Sequence, residues 1–283
     1  MNTFSQIASF ITARGIQKPL AVHAEADQNA YRAYLERLSG DEEGIEKVDR
    51  ISLVIDGHEP IGWWWPYEED VQEGDTKTVS DCMTPITCAM LVSGDAKYLE
   101  LADLFAQQSS RFLYFVLEGT KITGTVSFGD LFCPLGRLCL FSLVLHLEKE
   151  AEELCKHKAE TCFNVLSEGR QEKAHEVLAK CFASSKHNSG VEKYRGLIES
   201  TTFIDKGKML GKAQLINNKS RNEIESVFAA AEKVRNSCAH NRSEFQVLGL
   251  TSNRKERRNL STFIHKTQEM IGLIQKGNAD WLS

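Results

Sequence analysis

The chain has 283 residues, of which 42% are hydrophobic and 26% charged, a composition that excludes disordered, collagen-like and fibrous proteins. Its net charge of −5 argues against a general nucleic-acid binder. The charge is unevenly distributed: residues 1–136 contain 10 Lys and Arg and 21 Asp and Glu, whereas residues 137–283 contain 24 Lys and Arg and 18 Asp and Glu. This asymmetry predicts two modules with different partners.

The first half of the chain is predicted to mix helices with β-hairpins. Residues 4–14 and 26–38 have the hydrophobic spacing of helices. Residues 50–65 contain two apolar runs, RISLVI and IGWWW, joined by an Asp-Gly turn, and this pattern predicts a hairpin. A short strand, an amphipathic helix and a second hairpin are predicted at residues 86–92, 97–107 and 112–127.

From residue 138 onward the strand signals stop. The most apolar run, LCLFSLVLHL, has ten residues, while a membrane-spanning helix needs about 20, so it predicts a buried helix. Strands followed by helices predict an α+β fold, with an N-terminal module in residues 1–136 and a helical bundle in residues 137–283. The predicted helices cover residues 138–158, 159–168, 170–183, 190–199, 221–240 and 254–276.

The eight cysteines include no Cys-x-x-Cys pair, and no secretory signal precedes them. They are therefore expected to be reduced thiols of a cytoplasmic protein. Cys155, His157 and Cys162 are close in sequence, but a structural zinc site needs four ligands, so no metal site is predicted.

The two predicted hairpins are copies of one pattern. ISLVIDGHEPIGWWW and FLYFVLEGTKITGTVS each contain an apolar strand, an acidic residue followed by Gly at the turn, and a second strand, and each follows an amphipathic helix. Repeated β-α-β-β-α units of this kind, with the phrases TVSDCMTP and GTVSFGDL, resemble the cystathionine β-synthase (CBS) domain, which pairs two copies into one Bateman module. The resemblance covers about residues 20–136, and the first copy is degenerate.

The CBS resemblance implies a site for an adenosine nucleotide in the second copy. Nucleotide-binding CBS domains carry Gly-x-x-(Ser/Thr)-x-x-Asp at the end of the second hairpin strand, where the hydroxyl lies near phosphate and the carboxylate accepts from the ribose hydroxyls. Gly124, Ser127 and Asp130 match this pattern, which implies ATP, AMP or S-adenosylmethionine as an effector. The first copy lacks the hydroxyl. Its equivalent positions hold Gly62, Trp65 and Glu68.

A second interpretation of these residues needs no ligand. In it the CBS pair serves only for dimerisation, Ser127 is a turn hydroxyl, and Asp130 is an acid at a helix N-terminus. The residue pattern alone leaves both interpretations open.

A second motif, VRNSCAH, ends the helix predicted over residues 221–240. This stretch resembles the R-x4-6-H motif of HEPN domains (higher eukaryotes and prokaryotes nucleotide-binding). Asn236 follows Arg235, four residues separate Arg235 from His240, and Ala239 directly precedes His240. HEPN domains are small helical bundles. The resemblance implies a ribonuclease that needs no cofactor or metal and is built at the interface of a homodimer.

The residue types in this motif suit RNA cleavage. His is the side chain whose unperturbed pKa lies near neutrality, so His240 suits the base that removes the 2′-OH proton. Arg235 offers a permanent charge and a planar fork to the phosphorane, and Asn236 can bond phosphate or orient either partner. In the opposing interpretation, Arg235 and His240 only complement the dipole and carbonyls of a helix end.

The surroundings of the motif are basic. Residues 206–258 contain 12 Lys and Arg against five Asp and Glu, which predicts a surface that follows RNA phosphates. The candidates are Lys206, Lys208, Lys212, Lys219, Arg221, Arg254, Lys255, Arg257 and Arg258. For any single one of them, an ordinary solvated helix face is the alternative.

Three functional hypotheses follow from the sequence. In the first, a nucleotide-sensing CBS module controls a metal-independent HEPN-type endoribonuclease. In the second, the chain is a non-catalytic regulatory and dimerisation protein that binds an adenosine nucleotide. In the third, an inactive bundle acts as an antitoxin or scaffold. The first two predict a homodimer, and none involves a membrane.

Overall fold

Strands and helices are segregated along the chain. A computed structural model describes residues 9–20, 23–39, 51–65, 72–108, 111, 113–181, 190–239 and 254–282. All described strands end by residue 127, and every described element after residue 133 is helical, which confirms the predicted α+β fold class.

The chain forms two compact units. One, the sheet unit, consists of residues 12–96 with 111–130, and the other, the helical unit, contains the rest. Among the described residues, no helix is long and apolar enough to cross a bilayer. The domain boundary predicted after residue 136 stays a prediction.

The sheet unit contains two four-stranded sheets of matching topology, β2-β3-β4-β5 and β6-β7-β8-β1. In each sheet a parallel strand pair is followed by an antiparallel hairpin. The elements are α1 (Ala13–Ile16), β1 (Lys18–Pro19), β2 (His23–Glu25), α2 (Ala30–Ser39), β3 (Ser52–Asp56), β4 (Glu59–Trp64), α3 (Val79–Cys82), β5 (Thr84–Pro85), β6 (Leu91–Ser93), β7 (Leu113–Glu118) and β8 (Lys121–Ser127).

Both predicted hairpins are present, and they are β3-β4 and β7-β8. Their turns place Gly57 and Gly119 at φ values of 63° and 60°, a left-handed conformation that favours glycine. A helix connects the parallel strands of each repeat, so the chain runs twice through the β-α-β-β succession that the CBS resemblance implies.

The two repeats exchange their short edge strands. β1 precedes the first repeat but pairs with β8 of the second, while β5 precedes the second repeat but pairs with β4 of the first. A Cβ at Gly124 would lie 2.5 Å from the carbonyl oxygen of Lys18, and one at Gly62 would collide with the side chain of Met83. Gly124 therefore needs to be glycine because the backbone of β1 crosses there, whereas a side chain at position 62 would first displace Met83.

The tryptophans of β4 point into different hydrophobic clusters. Strand alternation buries Trp64 in one cluster, which contains residues of α2 and α3, and directs Trp63 to another. This second cluster joins the two sheets through Leu53 and Phe115, and the rings of Trp63 and Phe115 lie 6.5 Å apart. The sheet unit is therefore held by apolar contacts on both faces of its first sheet.

The helical unit is built around three mutually packed helices, α5, α10 and α11. The apolar run of residues 138–147 lies inside α5, with Leu143 and Leu147 fully buried. The helices are α4 (Tyr98–Gln107), α5 (Pro134–His157), α6 (Ala159–Asn164), α7 (Glu168–Cys181), α8 (Gly190–Glu199), α9 (Phe203–Lys212), α10 (Arg221–Ala239) and α11 (Arg254–Leu282). All six predicted helices are confirmed, with shifted ends.

Helix α4 belongs to the helical unit although it connects two strands, β6 and β7. The Asp103 carboxylate of α4 contacts two residues of α11. It accepts a hydrogen bond from the Ser261 hydroxyl at 2.7 Å and lies 2.9 Å from Nε2 of His265. The Tyr98 hydroxyl donates to the carbonyl of Leu131 at 2.9 Å in the interior of the unit. These contacts explain why the helix packs with the C-terminal helices.

Helix α9 is a helix of the helical unit that the sequence patterns do not predict. Its sequence, FIDKGKMLGK, contains two glycines, each unfavourable by about 1 kcal/mol in a helix. Gly207 is nevertheless required, since a Cβ there would lie 2.5 Å from the Phe228 ring. The helix start carries a signal that sequence reasoning missed, a capping box between Thr202 and Asp205.

Candidate functional sites

Ser127 and Asp130 meet where β8 ends and a short 3-10 turn, Gly129–Phe132, begins. The backbone N–H and the hydroxyl of Ser127 both donate to Asp130 Oδ2, each at 2.6 Å. Asp130 Oδ1 lies 3.9 Å from Lys18 Nζ on β1. The structure therefore brings together two predicted site residues and a cation that the sequence motif does not include.

The contact between Ser127 and Asp130 also has a local explanation. A hydroxyl residue followed three positions later by an acid forms the same kind of capping interaction at other helix starts in this chain. These pairs are Thr78 with Asp81, Thr202 with Asp205, and Ser220 with Glu223. A helix start alone is thus sufficient to produce the geometry, and the sequence match to nucleotide-binding CBS domains stays a prediction.

The third predicted residue of this site, Gly124, lies three positions before Ser127 on β8, so strand alternation places the two residues on opposite faces. Its lack of a side chain is explained by the approach of β1, as described above. In the first repeat, Trp65 takes the place of the hydroxyl and packs partly buried in the cluster between the sheets. Glu68 lies outside the described residues.

Arg235 lies about one turn before the end of α10. Its guanidinium Nη1 is 3.5 Å from Glu148 Oε2 on α5, and its Cζ lies 5.8 Å from the centre of the Phe203 ring on α9. Among the residues that the structure describes, Nε and Nη2 have no hydrogen-bond partner. With its side chain 34% exposed, Arg235 is held on one edge and presents donors on the other.

Of the other two predicted residues of this motif, Asn236 and His240, the structure describes only Asn236. Asn236 is exposed on α10 beside Arg235. His240 directly follows the last residue of α10 and lies outside the described residues.

Within the helical unit, Arg235 is the first member of a series of side chains with alternating charges. Glu148 Oε1 accepts from Lys206 Nζ at 3.1 Å, Lys206 Nζ is 2.8 Å from Glu152 Oε2, and Glu152 is 2.9 Å from Lys156 Nζ. We call these residues, with Arg235, the ion-pair chain. The three members from α5 are spaced four residues apart, which places them on one helix face.

Hydrogen bonds within the ion-pair chain favour the charged forms of Glu152 and Lys156. Burial acts to raise the pKa of Glu152, but hydrogen bonds from Lys206 and Lys156 outweigh it and hold that pKa below its usual value. Burial acts to lower the pKa of Lys156, and hydrogen bonds to Glu199 and Glu152 more than reverse this effect. Because Glu148 is shared between two cations, Arg235 keeps part of its positive charge uncompensated.

The predicted phosphate-binding surface needs a correction. Lys206 is wrong as a surface candidate, because its side chain is only 4% exposed and is paired with two carboxylates. Others are engaged within the fold: Lys212 donates to the carbonyl of Val165, Lys219 pairs with Glu223 and Glu269, and Arg221 pairs with Glu225. Arg258 is exposed. The side chains outside the description are Arg254, Lys255 and Arg257.

Two cysteines of the helical unit, Cys238 and Cys155, are poor nucleophiles at neutral pH because their pKa values are raised. Burial raises the pKa of Cys238, inside the motif, to about 11, so its thiol is protonated at neutral pH. Cys155 and Cys162 are buried and in contact, and that hydrogen bond together with burial raises the pKa of Cys155, while His157 is exposed. In the described ranges, no group of three or more His, Cys, Asp or Glu side chains is placed to hold a metal ion.

Comparisons with known proteins found similarity only to solved structures. No protein-family model matches the sequence, and no curated protein matches it. The CBS domain of a bacterial CNNM/CorC family Mg²⁺ transporter, in complex with ATP, is 15% identical, with 45% of this chain and 89% of that chain covered and a TM-score of 0.34.

Two further similar structures also contain CBS domains. A putative signal-transduction protein with CBS domains from Burkholderia ambifaria MC40-6 is 20% identical, with 44% of this chain and 88% of that chain covered and a TM-score of 0.30. A hexameric CBS-CP12 protein from bloom-forming cyanobacteria is 17% identical, with 68% of this chain and 95% of that chain covered and a TM-score of 0.35. These structure neighbours are CBS-domain proteins.

Proposed function

We propose that the chain is a metal-independent endoribonuclease regulated by an adenosine nucleotide. The observation that carries the catalytic part is the state of Arg235, whose guanidinium is anchored by Glu148 and Phe203 while its remaining donors have no partner in the described part of the chain. A guanidinium so placed, five residues before His240, suits the binding of a scissile phosphate.

In the proposed reaction, His240 accepts the proton of the ribose 2′-OH. The 2′ oxygen attacks the neighbouring phosphorus, and the bond from phosphorus to the 5′ oxygen of the next nucleotide breaks. The leaving 5′ oxygen takes up a proton, so the products are a 2′,3′-cyclic phosphate and a 5′-hydroxyl. Arg235 donates to the equatorial oxygens of the phosphorane, and the exposed Asn236 orients the phosphate.

RNA cleavage in EDTA tests the catalytic proposal. His240→Ala and Arg235→Ala should each lower the cleavage rate by roughly 10²- to 10⁴-fold, because each removes a group that acts only in the transition state. His58→Ala, in the turn of the first hairpin, is a control that should cleave like the wild type. Cleavage that persists in both motif variants, or that EDTA abolishes in the wild type, would overturn the proposal.

The sensing part of the proposal rests on the site at the end of β8. Asp130 Oδ1 faces Lys18, and in the proposal the Asp130 carboxylate accepts from the hydroxyls of a ribose. The Lys18 ammonium is suited to phosphate oxygens. The Ser127 hydroxyl donates to Asp130 and would have to turn away from that carboxylate to reach a phosphate oxygen. ATP, AMP and S-adenosylmethionine share the adenosine that this site would hold.

Calorimetric titration tests the sensing proposal separately. At least one of ATP, AMP and S-adenosylmethionine should bind more tightly than GTP, and Asp130→Asn should weaken that binding by about tenfold, the worth of a charge-assisted hydrogen bond. Asp56→Asn, at the tip of the first hairpin, should bind like the wild type. Absence of heat with all three ligands would leave the sheet unit as a dimerisation module.

A non-catalytic regulatory protein is the second candidate function. The observation that favours it is that the two candidate sites lie in separate compact units, so nucleotide binding does not require the R-x4-H motif. A wild-type protein that binds ATP and cleaves no RNA would support this candidate over the first.

A further inference from the structure

Glu148 contacts two cations, and each of its carboxylate oxygens is used by a different one. Oε1 accepts from Lys206 at 3.1 Å, and Oε2 lies 3.5 Å from Arg235 Nη1. Both partners come from other helices, α9 and α10, while Glu148 itself lies on α5. A carboxylate tied at both oxygens cannot rotate freely, so its orientation is fixed by the fold.

Lys206 restrains the orientation of the Glu148 carboxylate. Its side chain is 4% exposed, and its ammonium is also bound by Glu152, which is in turn bound by Lys156. A buried ammonium that lost either carboxylate would be left under-compensated, which disfavours any arrangement that separates Lys206 from Glu148. Lys206 therefore holds Glu148 from the side opposite Arg235.

Phe203 restrains Arg235 from a second direction. Its ring is fully buried, lies 5.0 Å from the ring of Phe228, and has the guanidinium carbon of Arg235 5.8 Å from its centre. Together, the carboxylate and the ring fix both the position of Nη1 and the environment of the guanidinium plane. The edge with Nε and Nη2, which has no partner among the described residues, then has one preferred direction.

We infer that Glu148 is a positioning residue that aims Arg235 at the scissile phosphate. This inference rests on the proposed ribonuclease function. It assigns no proton transfer to Glu148. It predicts that loss of the carboxylate leaves Arg235 charged but loosely held, and a misplacement of about 1 Å at such a group lowers the rate by up to about 100-fold.

The kinetic test compares Glu148→Gln with Glu153→Gln. The first variant should lower kcat by roughly 10- to 100-fold with a smaller change in KM, and its pH–rate profile should keep both limbs, because Glu148 does not transfer the proton. Glu153 lies on the same helix, is exposed and, within the part of the chain that the structure describes, forms an ion pair with Lys156 alone, so its variant should match the wild type. Loss of one limb of the pH profile in Glu148→Gln would overturn the positioning role.

A second measurement works without catalysis. Phenylglyoxal modifies accessible arginines, and peptide mass mapping gives the modification rate at Arg235 in the intact protein. Release of the Glu148 contact should raise that rate about two- to fivefold, the range for an ion pair of this exposure, and Glu153→Gln should leave it unchanged. An unchanged rate at Arg235 in Glu148→Gln would overturn the inference.

The two measurements separate the inference from the proposed function. A wild-type protein without RNA cleavage would overturn the ribonuclease, while the modification rate would still decide whether Glu148 holds Arg235. Far-UV circular dichroism of Glu148→Gln, Glu153→Gln and the wild type at the assay temperature ensures that the rates are compared between folded proteins.

Discussion

At the residue scale, His146 is a buried titratable group outside both candidate sites. Its side chain is 6% exposed on α5, with Nδ1 3.8 Å from Glu150 and Nε2 3.3 Å from the amide of Gln275 on α11. Burial lowers the pKa of His146 below its usual 6.5. Glu150 opposes this effect, and Lys149 adds to it. The folded state therefore favours the neutral imidazole.

Because the pKa of His146 is lower in the folded state than in the unfolded state, the unfolded chain binds more protons below pH 6.5. The free energy of unfolding should fall as the pH decreases from 7.5 to 5. Urea unfolding of the wild type and of His146→Gln checks this, since the glutamine cannot titrate and should reduce the decrease. Between pH 7.5 and 8.5 the wild type should show no such change from His146, and an equal decrease in both proteins at low pH would contradict the explanation.

Single residues also show where sequence reasoning succeeds and where it cannot. The contact between Ser127 and Asp130 is predictable from the sequence because the two residues are three positions apart, while their role in nucleotide binding stays a prediction. Lys206 is misassigned to a phosphate-binding surface because its environment is set by Glu148 and Glu152, more than 50 positions earlier in the chain. No local pattern reports that the two helices will meet there.

At the element scale, helix α9 depends on a glycine that local propensity would reject. Gly207→Ala should destabilise the protein by about 1–3 kcal/mol, because the added methyl group overlaps the Phe228 ring and forces α9 and α10 apart. The measurement is the free energy of unfolding in urea.

Gly272→Ala is the matched control for this effect. It makes the same change within α11, where a Cβ would have no atom within 4 Å in the described structure. There the gain in helix propensity should stabilise the protein by about 0.5–1 kcal/mol. Stabilisation by both substitutions would show that the contact with Phe228 does not limit the packing of α9.

Elements are predictable when their signal is periodic or repeated. The hairpins are predicted because both copies carry an acidic residue and Gly at the turn, and the long helices because of their apolar spacing. The two-residue strands β1 and β5 carry no periodic signal, and their pairing partners lie in the other repeat. Only tertiary structure defines them.

At the scale of the whole molecule, the proposed active site requires two copies of the R-x4-H motif. The chain should therefore be a homodimer, with a mass by light scattering of twice 31.8 kDa at micromolar concentration. A single-chain mass at that concentration would contradict the composite site. The Arg235→Ala variant should remain dimeric, because a partly exposed side chain contributes little to an interface compared with its apolar core.

The exchange of edge strands has a consequence for synthesis on the ribosome. β1 is made early, yet its partner β8 follows only after nearly half of the chain, with Lys18 opposite Thr125. Until then β1 has no sheet to join, and until β5 is made the first sheet ends in an open β4 edge that can pair with other chains. The sheet unit can thus complete itself only when both repeats have emerged, so the nascent first repeat is a natural client for a chaperone.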